Sequence, residues 1–194
     1  MKVLHKETGE VLWEDRKITD FKGANFIGAN LEGADFEGAE LTGADFTGAG
    51  CMGANFIGAE LTGANFIRAN LTGADFRWAN LEGAGLRWVD LTYVDLRWAI
   101  LLGADLIGVN FRWADLRWTN LTGANFAGAD LRWANFSEAE LRWVDLRWAV
   151  LLGANFTGAN FSGADLRWAN FIGAKCMGAN FIGAELEGAK GIEK

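Results

Sequence analysis

From Phe21 to Leu186 every fifth residue is Phe, Leu or Cys, and the phase never slips. Fourteen Phe, eighteen Leu and two Cys fill these thirty-four positions, which include every Phe in the chain. With this site called i, Ala usually stands at i−2 and Asn, Asp or Glu at i−1, as in Ala24-Asn25-Phe26 and Ala34-Asp35-Phe36. Gly occupies i+2 in twenty-two units, Trp in nine, and Arg68, Tyr93 and Glu138 fill the rest.

A period of five fits neither regular element. An α-helix advances about 100° per residue, so steps of five scatter the apolar sites around all its sides. In a flat strand, side chains alternate with period two, and an odd step throws successive i residues onto opposite faces. The chain must therefore turn a corner within each unit, so that every i residue points back toward one axis. Gly at i+2 suits such a turn because it takes positive φ without penalty. Trp does not, so the Gly units are expected to use type II turns and the Trp units a different turn with negative φ.

Tandem Ala-Asp/Asn-Leu/Phe-x-Gly resembles the pentapeptide repeat family, over nearly the whole chain from Thr19 to about Gly188. The resemblance implies an all-β fold: a right-handed quadrilateral parallel β-helix with four units per twenty-residue coil. Thirty-four units then give about eight and a half coils, a rod roughly 40 Å long at the ~4.8 Å strand spacing. Three segments are expected: residues 1–18 as a capping β-hairpin, 19–188 as the β-helix, and 189–194 as a short charged tail. Val3-Leu4 and Val11-Leu12-Trp13 flank a Gly-containing turn, and a solenoid's first coil needs a cover. Leu4, Leu12 and Trp13 are expected to lie over Phe21, Phe26 and Leu31.

Twenty-residue arithmetic then sorts the columns. Phe26, Phe46 and Phe66 stack inside the rod, as do Phe36, Phe56 and Phe76, with Leu96 and Leu116 continuing the second column. Outside, nine units between Arg77 and Trp168 carry Arg-Trp at i+1 and i+2. Trp78, Trp98 and Trp118 share one column beside Arg77, Arg97 and Arg117. Tyr93, Trp113 and Trp133 form a second, and Trp148 and Trp168 a third. Stacked indoles covered by Arg stems, with the guanidinium groups over rings or paired with Asp90, Asp95, Asp115 and Asp145, would make a self-sufficient structural ladder. Arg and aromatic residues are also what protein-binding faces are built from, which makes these columns the candidate interaction surface. A third reading, an anionic or nucleic-acid ligand, meets nine Arg against eleven Asp and Glu from Leu71 to Asn170, which is no electrostatic funnel. Ile100 with Leu102 and Val150 with Leu152 place apolar residues where other units are polar, on opposite sides.

Catalytic, metal and cofactor chemistry finds little purchase. No Ser-His-Asp set, P-loop, dinucleotide fingerprint or Cys-x-x-Cys pair occurs, and a packed rod offers no cleft, so no enzyme and no cofactor is expected. Asn and Asp at i−1 read as turn-stabilising groups rather than a calcium ladder. His5 is the only histidine. Cys51 and Cys176, 125 residues apart, sit inside the rod far beyond disulfide reach and fit a reducing compartment. A net charge of −7, no membrane-spanning apolar run and no secretion signal in Met1-Lys2-Val3-Leu4-His5-Lys6 point to a cytoplasmic protein with no membrane partner.

The sequence thus reads as a structural or protein-interaction rod, a monomer or an end-to-end homodimer with an unidentified protein partner. An alternative follows from the gyrase-protecting members of the family, acidic rods that mimic duplex DNA. The Arg-sprinkled middle, the lack of loops between coils and the missing C-terminal dimerisation helix depart from them. The near-perfect register is also what a consensus-designed scaffold would show.

Overall fold

A computed structural model describes residues 2–4, 8, 11–14 and 21–192. From Phe21 onward the chain is a right-handed four-sided parallel β-helix. Each side makes one parallel bridge to the residue twenty positions on, from Asn25↔Asp45 to Asn170↔Lys190. The side chains at i and i−2 point inward because one short extended side separates each pair of turns. We name the four faces by their first central residues: Phe21, Phe26, Leu31 and Phe36.

Backbone hydrogen bonding explains why the chain can repeat this shape without helices or long strands. In a typical unit the N–H of i donates to the next coil, as Phe26 does to the Asp45 carbonyl at 2.7 Å. The N–H of i−1 donates to the preceding coil, as Asp45 does to Ala24 at 2.9 Å, and the i−2 N–H closes the turn, as Ala24 does to Phe21 at 3.0 Å. The i+2 N–H also reaches the next coil. The remaining donor, at i+1, goes to the Asn or Asp two residues earlier: Ile27 to Asn25 Oδ1 at 3.0 Å, Ile57 to Asn55 Oδ1 at 3.1 Å. In most units with Asn or Asp at i−1, that side chain therefore satisfies the one N–H that the coils leave open.

The expectation of two turn types is overturned. All thirty-four i+2 residues have φ between 55° and 73°, including every Trp of the repeats, Tyr93, Arg68 and Glu138. Since i+1 residues stay at negative φ and the i−2 N–H bonds back to the i carbonyl, Gly and Trp units share one type II turn. Local preference loses because the i+2 N–H is fixed by the next coil: Trp78 N–H donates to the Arg97 carbonyl at 3.1 Å. A non-Gly residue held there costs about 1–2 kcal/mol, and twelve positions bear that cost.

Inside, the columns form as the arithmetic requires. Phe26, Phe46 and Phe66 stack at 4.8 and 4.6 Å, and Phe36, Phe56 and Phe76 at 5.0 and 4.6 Å. The two columns meet edge to face. Leu96 and Leu116 continue the core and are buried. Near the last described coil, Cys176, Phe181 and Leu186 are only partly covered.

Before the rod, β1 (Lys2–Leu4) pairs antiparallel with β2 (Val11–Glu14), Val3 opposite Trp13, with an irregularity between Val3 and Leu4. The side chains of Leu4, Leu12 and Trp13, and so their packing over Phe21, Phe26 and Leu31, lie outside the described residues.

Candidate interaction surface

Because i+1 and i+2 are the two central residues of each turn, every Arg-Trp dipeptide sits on a corner of the rod. On the corner after the Phe36 face, Trp78 stacks on Trp98 at 5.1 Å and Trp98 on Trp118 at 4.9 Å, with ring planes within 7° of parallel. Trp113 and Trp133 stack at 5.5 Å after the Leu31 face, and Trp148 and Trp168 at 5.3 Å after the Phe26 face. Tyr93 shares the corner of Trp113 but does not stack on it, so this column is a pair rather than the expected triplet. Trp88 and Trp143 stand without an indole neighbour; the Arg-Trp signal finds them, and their places in the twenty-residue register isolate them. The Trp88 ring lies over Gly108 and the Trp133 ring over Gly153, in the space where a Cβ would stand. These rings lean toward the following coil, and a Gly there receives them.

Charges on the corners are largely quenched. Arg77, Arg97 and Arg117 each donate from both Nε and a terminal nitrogen to the Asp two residues earlier: Arg97 reaches Asp95 at 2.9 and 2.6 Å. Each coil also leans on the next, with Arg77 3.7 Å from Asp95 and Arg97 3.7 Å from Asp115. The result is an alternating ladder along the Phe36 face, repeated by Asp145, Arg147, Asp165, Arg167 and Glu185 on the Phe26 face. Burial opposes ionisation of Asp95, but hydrogen bonds from the Arg97 side chain and backbone, with the Arg97 and Arg77 charges, outweigh it and hold the carboxyl below its ordinary value. At Asp165 the Arg167 hydrogen bond dominates over burial and lowers the carboxyl likewise. The expected Arg partnership of Asp90 does not form. Asp90 accepts from Thr92 and Asn110, while Arg112, whose own i−1 residue is Asn110, keeps a buried Nε without a partner. Arg117 lies 5.3 Å over the Trp118 ring and Arg142 5.4 Å over Trp143.

This arrangement decides what the corners can bind. Ring faces in a column are turned toward one another, so bases or sugar rings find an open platform only at column ends and at the isolated Trp88 and Trp143, and stacking in succession is what single-stranded nucleic acid requires. Guanidinium groups held by their own carboxylates offer little to phosphates. What remains exposed is a rail of indole edges: Trp78 is 61% exposed and Trp98 44%. No indole N–H has a protein acceptor among the described residues. Arg147, Trp148, Arg167, Trp168 and Glu187 enclose a shallow groove of about 170 Å³. Such rails suit a protein surface with aliphatic contacts and carbonyl acceptors.

Cys51 is buried, and burial pushes its thiol up to about 12; Cys176 is raised for the same reason. Both are free. Among the described residues no cluster of His, Cys, Asp and Glu could hold a metal ion, and no helix is long and apolar enough to cross a membrane.

The chain is similar in structure to a trypsin-treated variant of QnrB1, a plasmid-mediated fluoroquinolone resistance protein, with a TM-score of 0.69 and 26% identity over 80% of this chain and 86% of that one. It also matches HetL from the cyanobacterium Nostoc sp., a pentapeptide repeat protein involved in heterocyst differentiation regulation, at 28% identity over 89% and 88% of the two chains, with a TM-score of 0.36. A pentapeptide repeat protein of the Arabidopsis thaliana thylakoid lumen matches at 35% identity over 58% of this chain and 64% of that one, with a TM-score of 0.36. No curated protein sequence matches the chain. The family description "Pentapeptide repeats" matches residues 19–49, 51–87, 80–117, 114–151, 139–175 and 150–188. With that match spanning nearly all of the repeating coil, and with one residue in five facing the axis of a four-sided β-helix, the chain belongs to the pentapeptide repeat family.

Proposed function

We propose that this protein is a non-enzymatic rod that binds a protein partner through its Arg-Trp corners. The observation behind this reading is the set of nine Trp residues held at positive φ with their rings exposed. Gly would occupy each position without strain, and it does so in the first and last coils. Local rules broken at exposed positions are a mark of function rather than of folding. A recovery experiment tests it: the intact rod and a rod with all nine corner Trp replaced by Gly are used as bait in lysate of the source organism. The expected result is a protein retained by the first and lost by the second, and identical recoveries would end the reading.

A second reading has a specific observation in its favour, the likeness to the QnrB1 variant. In that reading the rod protects DNA gyrase as an acidic mimic of duplex DNA. Its acidic stretch is the N-terminal part, where Asp35, Glu37 and Glu60 have no cationic partner among the described residues, while the middle is neutralised by the Arg–Asp ladder. A supercoiling assay with gyrase and a fluoroquinolone decides: protection by micromolar rod supports it, and unchanged inhibition removes it.

A further inference from the structure

Halfway along the rod, on the Phe21 face, the i−1 ladder changes character. Asn80 and Asn120 bridge to a residue between them that is Ile100, 42% exposed. Its unit also carries Leu102 at i+1, 37% exposed. Ile100 has no oxygen to offer, so the Leu102 N–H lacks the side-chain acceptor that Asn80 gives Glu82 and Asn120 gives Thr122, both at 3.1 Å. A hydrogen bond is given up here and an apolar surface exposed in its place. Trp98 lies two residues before Ile100, at the centre of the Trp78, Trp98 and Trp118 rail, so rail and face join into one apolar patch. The opposite apolar spot is not its equal, because Val150 and Leu152 are half-covered.

Arg77, Arg97 and Arg117 beside the patch are paired with Asp75, Asp95 and Asp115, so the charges left unpaired around it are acidic. Among the described residues the carboxylates of Glu82 and Glu138 have no ion-pair or hydrogen-bond partner, and the Glu60 carboxylate accepts only from the Asn80 amide at 2.9 Å. Farther along, Glu140 is paired with Arg142 at 3.1 Å. The opposite corner of the face is smooth: a Cβ at Gly83, Gly103 or Gly123 would meet nothing within 4 Å. Nothing along the sides of the rod accepts an added strand, because the backbone groups are bonded along the axis from coil to coil. An occupant must therefore dock through side chains.

We propose that the Phe21 face and its Trp corner, between Glu60 and Glu140, dock a basic amphipathic helix of a protein partner. This rests on the corners being an interaction surface and names the partner's chemistry. The apolar stripe of the helix lies on Ile100, Leu102 and the Trp98 edge, and its Lys or Arg residues reach Glu60 and Glu82 on one side and Glu138 on the other. Four coils separate Glu60 from Glu140, about 19 Å at ~4.8 Å per coil, and about thirteen helical residues cover that span at 1.5 Å each.

The probe is a fluorescein-labelled, end-capped Lys/Leu helix of about sixteen residues, long enough to overhang that span slightly, followed by anisotropy. A peptide of the same composition with two central prolines, which cannot be helical, is its control. Ile100→Asn with Leu102→Thr copies residues of the adjacent coils, so melting is expected unchanged or improved while affinity falls about tenfold through lost apolar contact. Glu60→Gln, Glu82→Gln and Glu138→Gln together are expected to weaken binding and flatten its salt dependence. Equal affinity for the Ile100/Leu102 double variant, for the acid-less triple variant or for the proline peptide would overturn the proposal. Loss confined to a Trp148→Gly/Trp168→Gly rod would also overturn it, while leaving the corners as an interaction surface. Peptide bound by neither intact rod nor variants would overturn the helix alone, since the lysate comparison reads the corners independently.

Discussion

Replacing Trp98 and Trp88 by Gly separates what the indoles contribute from what their backbone costs. Both residues sit in the same type II turn, at φ 64° and 58°, so the relief of left-handed strain and the added unfolded-state freedom are common to both changes and cancel in the difference. The environments differ. Trp98 is sandwiched between two indoles and is 44% exposed; Trp88 has no indole neighbour and is 66% exposed. A Trp side chain carries about 250 Å² of surface, so the gap in exposure amounts to roughly 55 Å², or about 1.4 kcal/mol at ~25 cal/mol/Å². Two stacking contacts add about 0.5–1.5 kcal/mol each. Trp98→Gly is therefore expected to cost about 2.4–4.4 kcal/mol more than Trp88→Gly, read as the difference in guanidinium unfolding followed by circular dichroism. Trp88→Ala serves as the backbone control: Ala keeps the strained φ, so it should be less stable than Trp88→Gly by about 1 kcal/mol. Equal midpoints for the Trp98 and Trp88 glycine variants would refute the stacking account, and a more stable Ala variant would refute the strain account.

Leu96→Asp puts a carboxylate into a column that is 1% exposed; with no cation to meet it, the coils around it should open, at a cost of about 3–5 kcal/mol, seen as loss of amide protection centred on residues 76–116. At pH 8 the intact rod should present one reactive thiol, Cys176, to a chromogenic disulfide reagent and a second only on denaturation, because burial holds Cys51 near 12; prompt modification of both would contradict the packing. Carboxyls of Asp95, Asp130 and Asp165 are depressed in the folded rod. Their stabilisation is thus present above the ordinary value of about 3.9 and lost as pH falls through the lower folded values. Melting temperature should be flat from pH 7 to about 5 and fall below about 4, less steeply in Asp165→Asn; a rod equally stable at pH 3 would remove the ladder's role.

A five-residue apolar beat without a single slip left one way to hide its Phe and Leu, so the corner in every unit, the inward Phe columns and the turn-bonding role of Asn25, Asn55 and their equivalents were legible before any coordinates. The cross-section and column membership followed from the family's four units per coil. Turn geometry at Trp was not legible. Propensity argues one residue at a time, whereas the φ of Trp78 is set by a hydrogen bond to Arg97, nineteen residues away, and the ladder overrides the local cost. Nor could composition tell which Arg would be spoken for: Arg97 is held by Asp95, but Arg112, with Asn110 where an Asp would serve it, is not. Spacing put Tyr93 beside Trp113, yet whether two rings touch depends on side-chain lean, which the period does not encode. Sequence alone settled which atoms face the axis, because burying a periodic apolar residue is a question of geometry. Tertiary structure alone decided which surface charges and rings remain free, because that depends on the pairing of side chains between neighbouring coils.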